Sequence, residues 1–184
     1  MKVVLLTLCI LFTLTVSAND ILALDQAVRA GNVDKVTKLI KQGVNPSTVI
    51  DQGKNATWKH SPLILATKAK NLKMVKLLIE SGADVNYVNF GSATALKEAA
   101  KSNHAEITTL LINAGANVNF IDEDEVPILF WAVSKKSDKV IPLLVKAGAD
   151  PDKKYNSMFH GKNTVRGHFS KPGKSTPAIL SLLN

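Results

Sequence analysis

The chain has 184 residues, enough for one domain with a sizeable core. Forty-six per cent of the residues are hydrophobic and 21% are charged, an ordinary globular composition that argues against a disordered chain. The formal net charge is +8, and the single cysteine, Cys9, has no partner with which to form an internal disulfide.

The first predicted element is the segment 1–18. Lys2 supplies a positive start, Val3 to Val16 is almost wholly apolar, and Val16-Ser17-Ala18 places small residues just before Asn19. That order predicts a secretory signal peptide cut after Ala18. The apolar run falls short of the roughly 20 residues that a membrane span needs, so no stable membrane insertion is expected after cleavage. Cys9 follows Leu8, whereas a lipid-acceptor cysteine wants a small residue before it. The domain expected from residue 19 to residue 184 therefore contains no cysteine. A periplasmic location fits this best, and secretion from a eukaryotic cell fits less well.

The rest of the chain is periodic. Four segments align: LDQAVRAGNVDKVTKLIKQGVNP to Pro46, SPLILATKAKNLKMVKLLIESGADVN to Asn86, TALKEAAKSNHAEITTLLINAGANVN to Asn119, and PILFWAVSKKSDKVIPLLVKAGADPD to Asp152. Gly82, Gly115 and Gly148 recur every 33 residues, as do Ala66, Ala99 and Ala132, while Gly43 to Gly82 is 39. Ser61-Pro62 and Thr176-Pro177 put a capping hydroxyl and then a proline where a helix can start. Val36, Leu39 and Ile40, and again Val75, Leu78 and Ile79, form one buried helical stripe. The glycine after each stripe suits the positive φ of a helix end. Each unit reads as a helix pair plus an extended turn, and units of this kind bury their faces only by stacking.

These residues resemble the ankyrin repeat, with its T-P-L-H-x-A opening and G-A-D-V-N ending, from Leu24 to Asn184 apart from two insertions. Ile64, Lys97 and Phe130 stand where the usual histidine would be, and the first unit lacks the T-P opening. The resemblance implies an all-α repeat solenoid. Repeats are expected at about 20–52, 57–90, 91–123 and 124–156, followed by a basic loop at 153–175 and a truncated cap at 176–184. It also implies a concave face lined by Arg29, Lys68 and Lys101, with Lys135 one position off. Phe130 and Trp131 on the fourth inner helix are either core or groove floor, with the core expected.

The departures from the period carry the functional expectations. Residues 47–60 form a long connection holding Lys54, Trp58, Lys59 and His60, where Trp58 either covers the first repeat or stands out as an aromatic anchor. Phe90 is a second anchor. Asp122, Glu123, Asp124 and Glu125 form an acidic turn, with Glu123 and Asp124 as partner-binding candidates. Residues 153–175 carry Lys153, Lys154, Lys162, Arg166, Lys171 and Lys174 with no acid, a basic arm that either reaches a partner or pairs with the acidic turn beside it. Lys162, Arg166, Lys171 and Lys174 are its binding candidates.

No catalytic chemistry emerges. Pro172-Gly173-Lys174-Ser175-Thr176 ends like a phosphate-binding loop, but His168 occupies the place of its first glycine. His160 and His168 share what reads as a flexible loop without cysteine or carboxylate partners, so neither metal nor cofactor is expected. His104 reads as the start of an outer helix. The chain is expected to be no enzyme, with no small-molecule substrate and no nucleic-acid partner. It is instead expected to bind another protein. Small exported ankyrin proteins are similar to periplasmic immunity proteins against type VI secretion phospholipases, so the resemblance implies an inhibitor of a toxic effector. An envelope scaffold or stress-protection factor and an exported virulence effector are the alternatives.

Overall fold

The computed structural model describes residues 16–49 and 60–184. Lys54, Trp58 and most of the expected signal segment lie outside the described residues.

The helices come in pairs: α1 (Ala18–Arg29) with α2 (Val33–Lys41), α3 (Pro62–Lys68) with α4 (Leu72–Glu80), α5 (Ala95–Lys101) with α6 (Ala105–Asn113), and α7 (Ile128–Ser134) with α8 (Ile141–Lys146). The first member of each pair stacks in an inner layer, α1 on α3 on α5 on α7, and the second members stack outside them. Side-chain caps start the helices up to α6, whereas α7 and α8 begin without one. Ser61 Oγ accepts from the amide of Ile64, and Thr94 Oγ1 accepts from that of Lys97. Asn32, Asn71 and His104 cap α2, α4 and α6 in the same way. Such caps satisfy amides that a helix start leaves without an internal partner.

The core is the stacked stripe. Leu63, Ile64, Met74, Leu78, Leu96, Ile107, Leu111, Ile128, Leu129, Ile141 and Leu144 are the largest side chains fully withdrawn from water, together with Leu24. Ala66, Ala99 and Ala132 are also buried, and their small size lets the inner helices approach closely. The asparagines of the turns stitch neighbouring units. Asn86 Nδ2 donates to the carbonyl of Gly115 (3.0 Å), its Oδ1 accepts from the amide of Asn117 (2.8 Å), and Asn119 Nδ2 donates to the carbonyl of Gly148 (3.3 Å). The outer helices end at Gly43, Gly82, Gly115 and Gly148 with φ between +82° and +95°. The inner helices turn out through left-handed residues too, but only the first, Gly31, is glycine; Lys70, Asn103 and Lys136 take φ of 54–55° with a side chain.

The N-terminal boundary has a structural consequence. Ser17 caps α1, its Oγ accepting from the amide of Asp20 while Asp20 Oδ2 accepts from the amide of Ser17 (2.9 Å). A cut after Ala18 would fall within the first turn of α1 and remove that cap.

The greatest departure from the sequence reading is the segment 153–175, expected as a loop. It folds into a hairpin of β1 (Tyr155–Ser157) and β2 (Gly161–Asn163), paired Tyr155 to Asn163 and Ser157 to Gly161, followed by α9 (Val165–Phe169). Helix α9 packs on α7, on the side opposite α5 but less extensively than α5 does, and so stands in the place of the inner helix of a further unit. That unit opens at Thr164, whose Oγ1 accepts from the amide of Gly167, and not at Thr176 as the Thr-Pro signal suggested. The hairpin lengthens the turn and displaces the opening from the 33-residue period, and valine follows the capping threonine where proline is usual. Thr176 instead caps α10 (Pro177–Ser181), which buries Ile179. Among the described residues, no helix is long and apolar enough to cross a membrane.

Candidate functional site: the inner face and its closure

The inner face is built from the residues that end the inner helices. Arg29, Lys68 and Lys101 come to equivalent places on α1, α3 and α5, as their spacing implied. They differ in their surroundings. Arg29 Nε donates to Asp25 Oδ2 at 2.7 Å on its own helix. Lys101 lies 3.4 Å from Glu98 Oε1 and 5.8 Å from the centre of the Trp131 ring. Lys68 Nζ stands 3.4 Å from His60 Nε2.

Trp131 lies less deeply than the core place expected of it. Phe130 is buried, but Trp131 is half-buried and packs against the edge of the core. One turn of α7 cannot aim two successive side chains in the same direction, so only one of the two rings can face inward. The indole Nε1 donates to Asp122 Oδ2 (2.5 Å), and Lys97 Nζ lies 4.9 Å above the ring. Lys97 also pairs with Asp122 Oδ2 at 2.6 Å, and both side chains are withdrawn from water. The other carboxylate oxygen accepts from the amides of Asp124 (3.1 Å) and Val126 (3.1 Å). Asp122 therefore ties the acidic turn to α5 and α7. Sequence reasoning missed this network, although its signal was present: Lys97 occupies the place of the usual histidine.

The remaining acids of that turn do not meet the arm's cations. Glu123, Asp124 and Glu125 share a depression of about 350 Å³ with Asn156, Met158 and Phe159 of the hairpin. Met158 and Phe159 are 90% and 74% exposed, and Phe90 at the tip of an earlier turn is 82% exposed. Among the described residues, no ion pair joins the acidic turn to the arm. Lys162 borders a second depression of about 500 Å³ with Lys154 and Tyr155, while Lys171 and Lys174 lie exposed beyond α9. Arg166 is different: its guanidinium reaches Asp152 (2.9 Å), the carbonyl of Leu183 (2.8 Å) and Asn184 Oδ1 (2.9 Å). These bonds make it a tie that holds the C-terminus, not an open cation.

The two histidines expected in a flexible loop are instead part of an aromatic closure. Phe130 is surrounded by the rings of His160 (4.6 Å), Phe169 (5.0 Å), His168 (5.2 Å), Trp131 (5.7 Å) and Tyr155 (5.9 Å between centroids). Burial pushes the His168 pKa below the ordinary imidazole value, and His160, Lys174 and Lys171 push the same way. Burial raises that of the Tyr155 phenol. No group of three or more metal-ligating side chains gathers among the described residues.

At the other end of the face, Asn89 organises the turn after α4. Its Oδ1 accepts from the amides of Gly91 (3.1 Å) and Ala93 (2.6 Å), and its Nδ2 meets His60 Nδ1 at 2.9 Å. The imidazole is held below its usual pKa by burial and then by Lys68; Glu98 opposes this and Arg29 adds to it. The face thus combines the cations of Arg29, Lys68 and Lys101 with a half-buried indole.

A family model of ankyrin repeats in three copies matches residues 24–122 and 88–155. These ranges cover well over half of the chain, which belongs to the ankyrin-repeat family. Ankyrin repeats are protein-interaction modules and generally carry no catalysis. No curated protein matches the chain.

Proposed function

We propose that this ankyrin-repeat protein is an exported inhibitor that binds and blocks a toxic effector enzyme in the periplasm. The observation that carries the reading is the row of cations at the ends of successive inner helices, Arg29, Lys68 and Lys101, the last of them 5.8 Å from the centre of the Trp131 ring. Exposed cations next to an aromatic ring suit an acidic partner surface, because charge speeds encounter and the ring supplies contact area. Lys162, Lys171 and Lys174 add exposed positive charge near the C-terminal end, whereas Phe90 offers an apolar anchor at a turn tip. Export is supported by the order of residues 1–18.

The test is recovery of the partner from the envelope fraction, followed by titration of that partner's activity with the purified chain. Stoichiometric loss of activity is expected, together with an N-terminus at or near Asn19 on the mature protein. A bound partner that keeps full activity would replace the inhibitor with a scaffold, and intact Met1 on most molecules would end the export reading.

A further inference from the structure

The hydrogen bonds around Asn89 determine the protonation of a neighbouring group. Its Oδ1 takes two backbone amide protons, from Gly91 and Ala93. Reversing the side-chain amide would put an NH2 group against both of those donors, so the orientation is fixed and Nδ2 must donate toward His60. His60 Nδ1 is then an acceptor and carries no proton. In a neutral imidazole the proton therefore sits on Nε2. That N–H faces Lys68 Nζ at 3.4 Å, and an ammonium has only donors to offer. Two donors converge, and neither can satisfy the other.

The nearest carboxylate does not resolve this. Glu98 on α5 is close enough to act on the imidazole, but it is bonded to Lys101. Arg29, on α1, adds positive charge on the opposite side and has its own partner in Asp25. All four groups belong to consecutive inner-layer segments, and Lys68 is exposed.

We infer that His60 and Lys68 form a subsite for a carboxylate of the bound protein, one oxygen accepting from His60 Nε2–H and Lys68 Nζ together. A single acceptor satisfies both donors, and charge-assisted bonds of this kind are the stronger class. The subsite rests on the reading of this face as a protein-binding surface and adds to it the chemistry of the contact, an aspartate or glutamate side chain. It also gives His60 a role that the repeat pattern does not foresee. Asn89 presets the tautomer, so the N–H is aimed before any partner arrives, which lowers the ordering cost of binding.

Nuclear magnetic resonance of ring-nitrogen-labelled full-length chain tests this directly. In the free protein at neutral pH, His60 should carry its proton on Nε2, and the opposite tautomer would overturn the inference. Titration with a hexaglutamate peptide should shift the His60 ring signals saturably and raise its pKa, while His104 on the outer helix α6 serves as the internal reference. Lys68→Gln should raise the peptide concentration at which the His60 response saturates roughly twofold to fivefold, the ratio an exposed ion pair supports. Lys73→Gln, at an exposed position of α4, should leave it unchanged. Equal shifts at His60 and His104, or a His60 response that saturates at the same concentration in Lys68→Gln, would reduce the effect to diffuse attraction by a basic protein and sink the subsite. Inorganic phosphate that saturates His60 where the peptide does not would assign the donors to a phosphate instead, and the carboxylate would fall. A natural partner that binds while leaving His60 unmoved would remove the subsite but keep the binding module, so the two readings can fail separately.

Discussion

Residues 61–149 and residues 153–184 each have to cover one face of an inner helix, and they do so with different chemistry. Within the stacked body, α5 is covered by α3 on one side and α7 on the other. The small side chains of Ala66, Ala99 and Ala132 bring those helices close together. Beyond α7 the period is broken, and the exposed face of Phe130 is closed by His160, His168, Phe169 and Tyr155. The difference teaches what a repeat array needs at its end. A further regular unit would present one more apolar face, so the terminal unit must be apolar inward and polar outward. The closing rings of His160, His168 and Tyr155 bring polar atoms into that contact, and Tyr155 Oη and His168 Nδ1 are buried there without a hydrogen-bond partner.

The contrast can be broken first at the junction. Asp122→Ala should cost about 3–5 kcal/mol, because it leaves the buried Lys97 ammonium uncompensated and frees the Trp131 N–H and two backbone amides. Urea denaturation measures the loss, and a midpoint unchanged from wild type would show that Asp122 ties nothing together.

A pair of truncations then compares the two regions directly. Phe130→Ala should cost about 3–5 kcal/mol and Leu111→Ala about 2–5 kcal/mol, the usual ranges for buried side chains of these types. They should differ in where the damage appears. Hydrogen exchange should speed up across 153–184 for Phe130→Ala but across α4, α6 and α8 for Leu111→Ala. Identical exchange maps would mean that closure and body open as a single unit.

Acidification supplies the smallest and most selective effect. His60 and His168 both have depressed pKa values in the folded state, so the unfolded chain binds more protons as the pH falls. Their stabilising contribution is present above the unfolded imidazole value of about 6.5 and is lost as the pH drops below it toward the folded values. The denaturation midpoint should therefore fall between about pH 7 and pH 5, and His168→Phe should flatten that dependence while leaving the closure packed. A steeper dependence in the variant would reverse the sign and refute the account.

The repeats themselves were legible in the chain because their cause is local and recurrent. Ser61 and Thr94 cap helices by reaching three residues along, the apolar stripes follow helical spacing, and Gly82, Gly115 and Gly148 answer a backbone demand at each outer-helix end. The basic character of the inner face was legible for the same reason, since equivalent positions in successive repeats fall on one surface. The fifth unit was not, because its opening combines a displaced position with Thr164-Val165, and only the packing of α9 on α7 identifies it.

The sequence by itself determined the period, the helix pairs, the buried stripe and the sign of the charge on the inner face. All of these follow from contacts within a turn or two of helix, or from one repeat meeting its copy. The tertiary structure alone decided which charges are available. It tied Arg166 to Asp152 and the C-terminus, sank Lys97 onto Asp122, held the Trp131 indole half-buried against the same carboxylate, and set the proton of His60 through Asn89, 29 residues away. Those pairings join residues whose separation matches no helical or strand period. Their energies come from desolvation and hydrogen-bond geometry that exist only once the repeats have stacked.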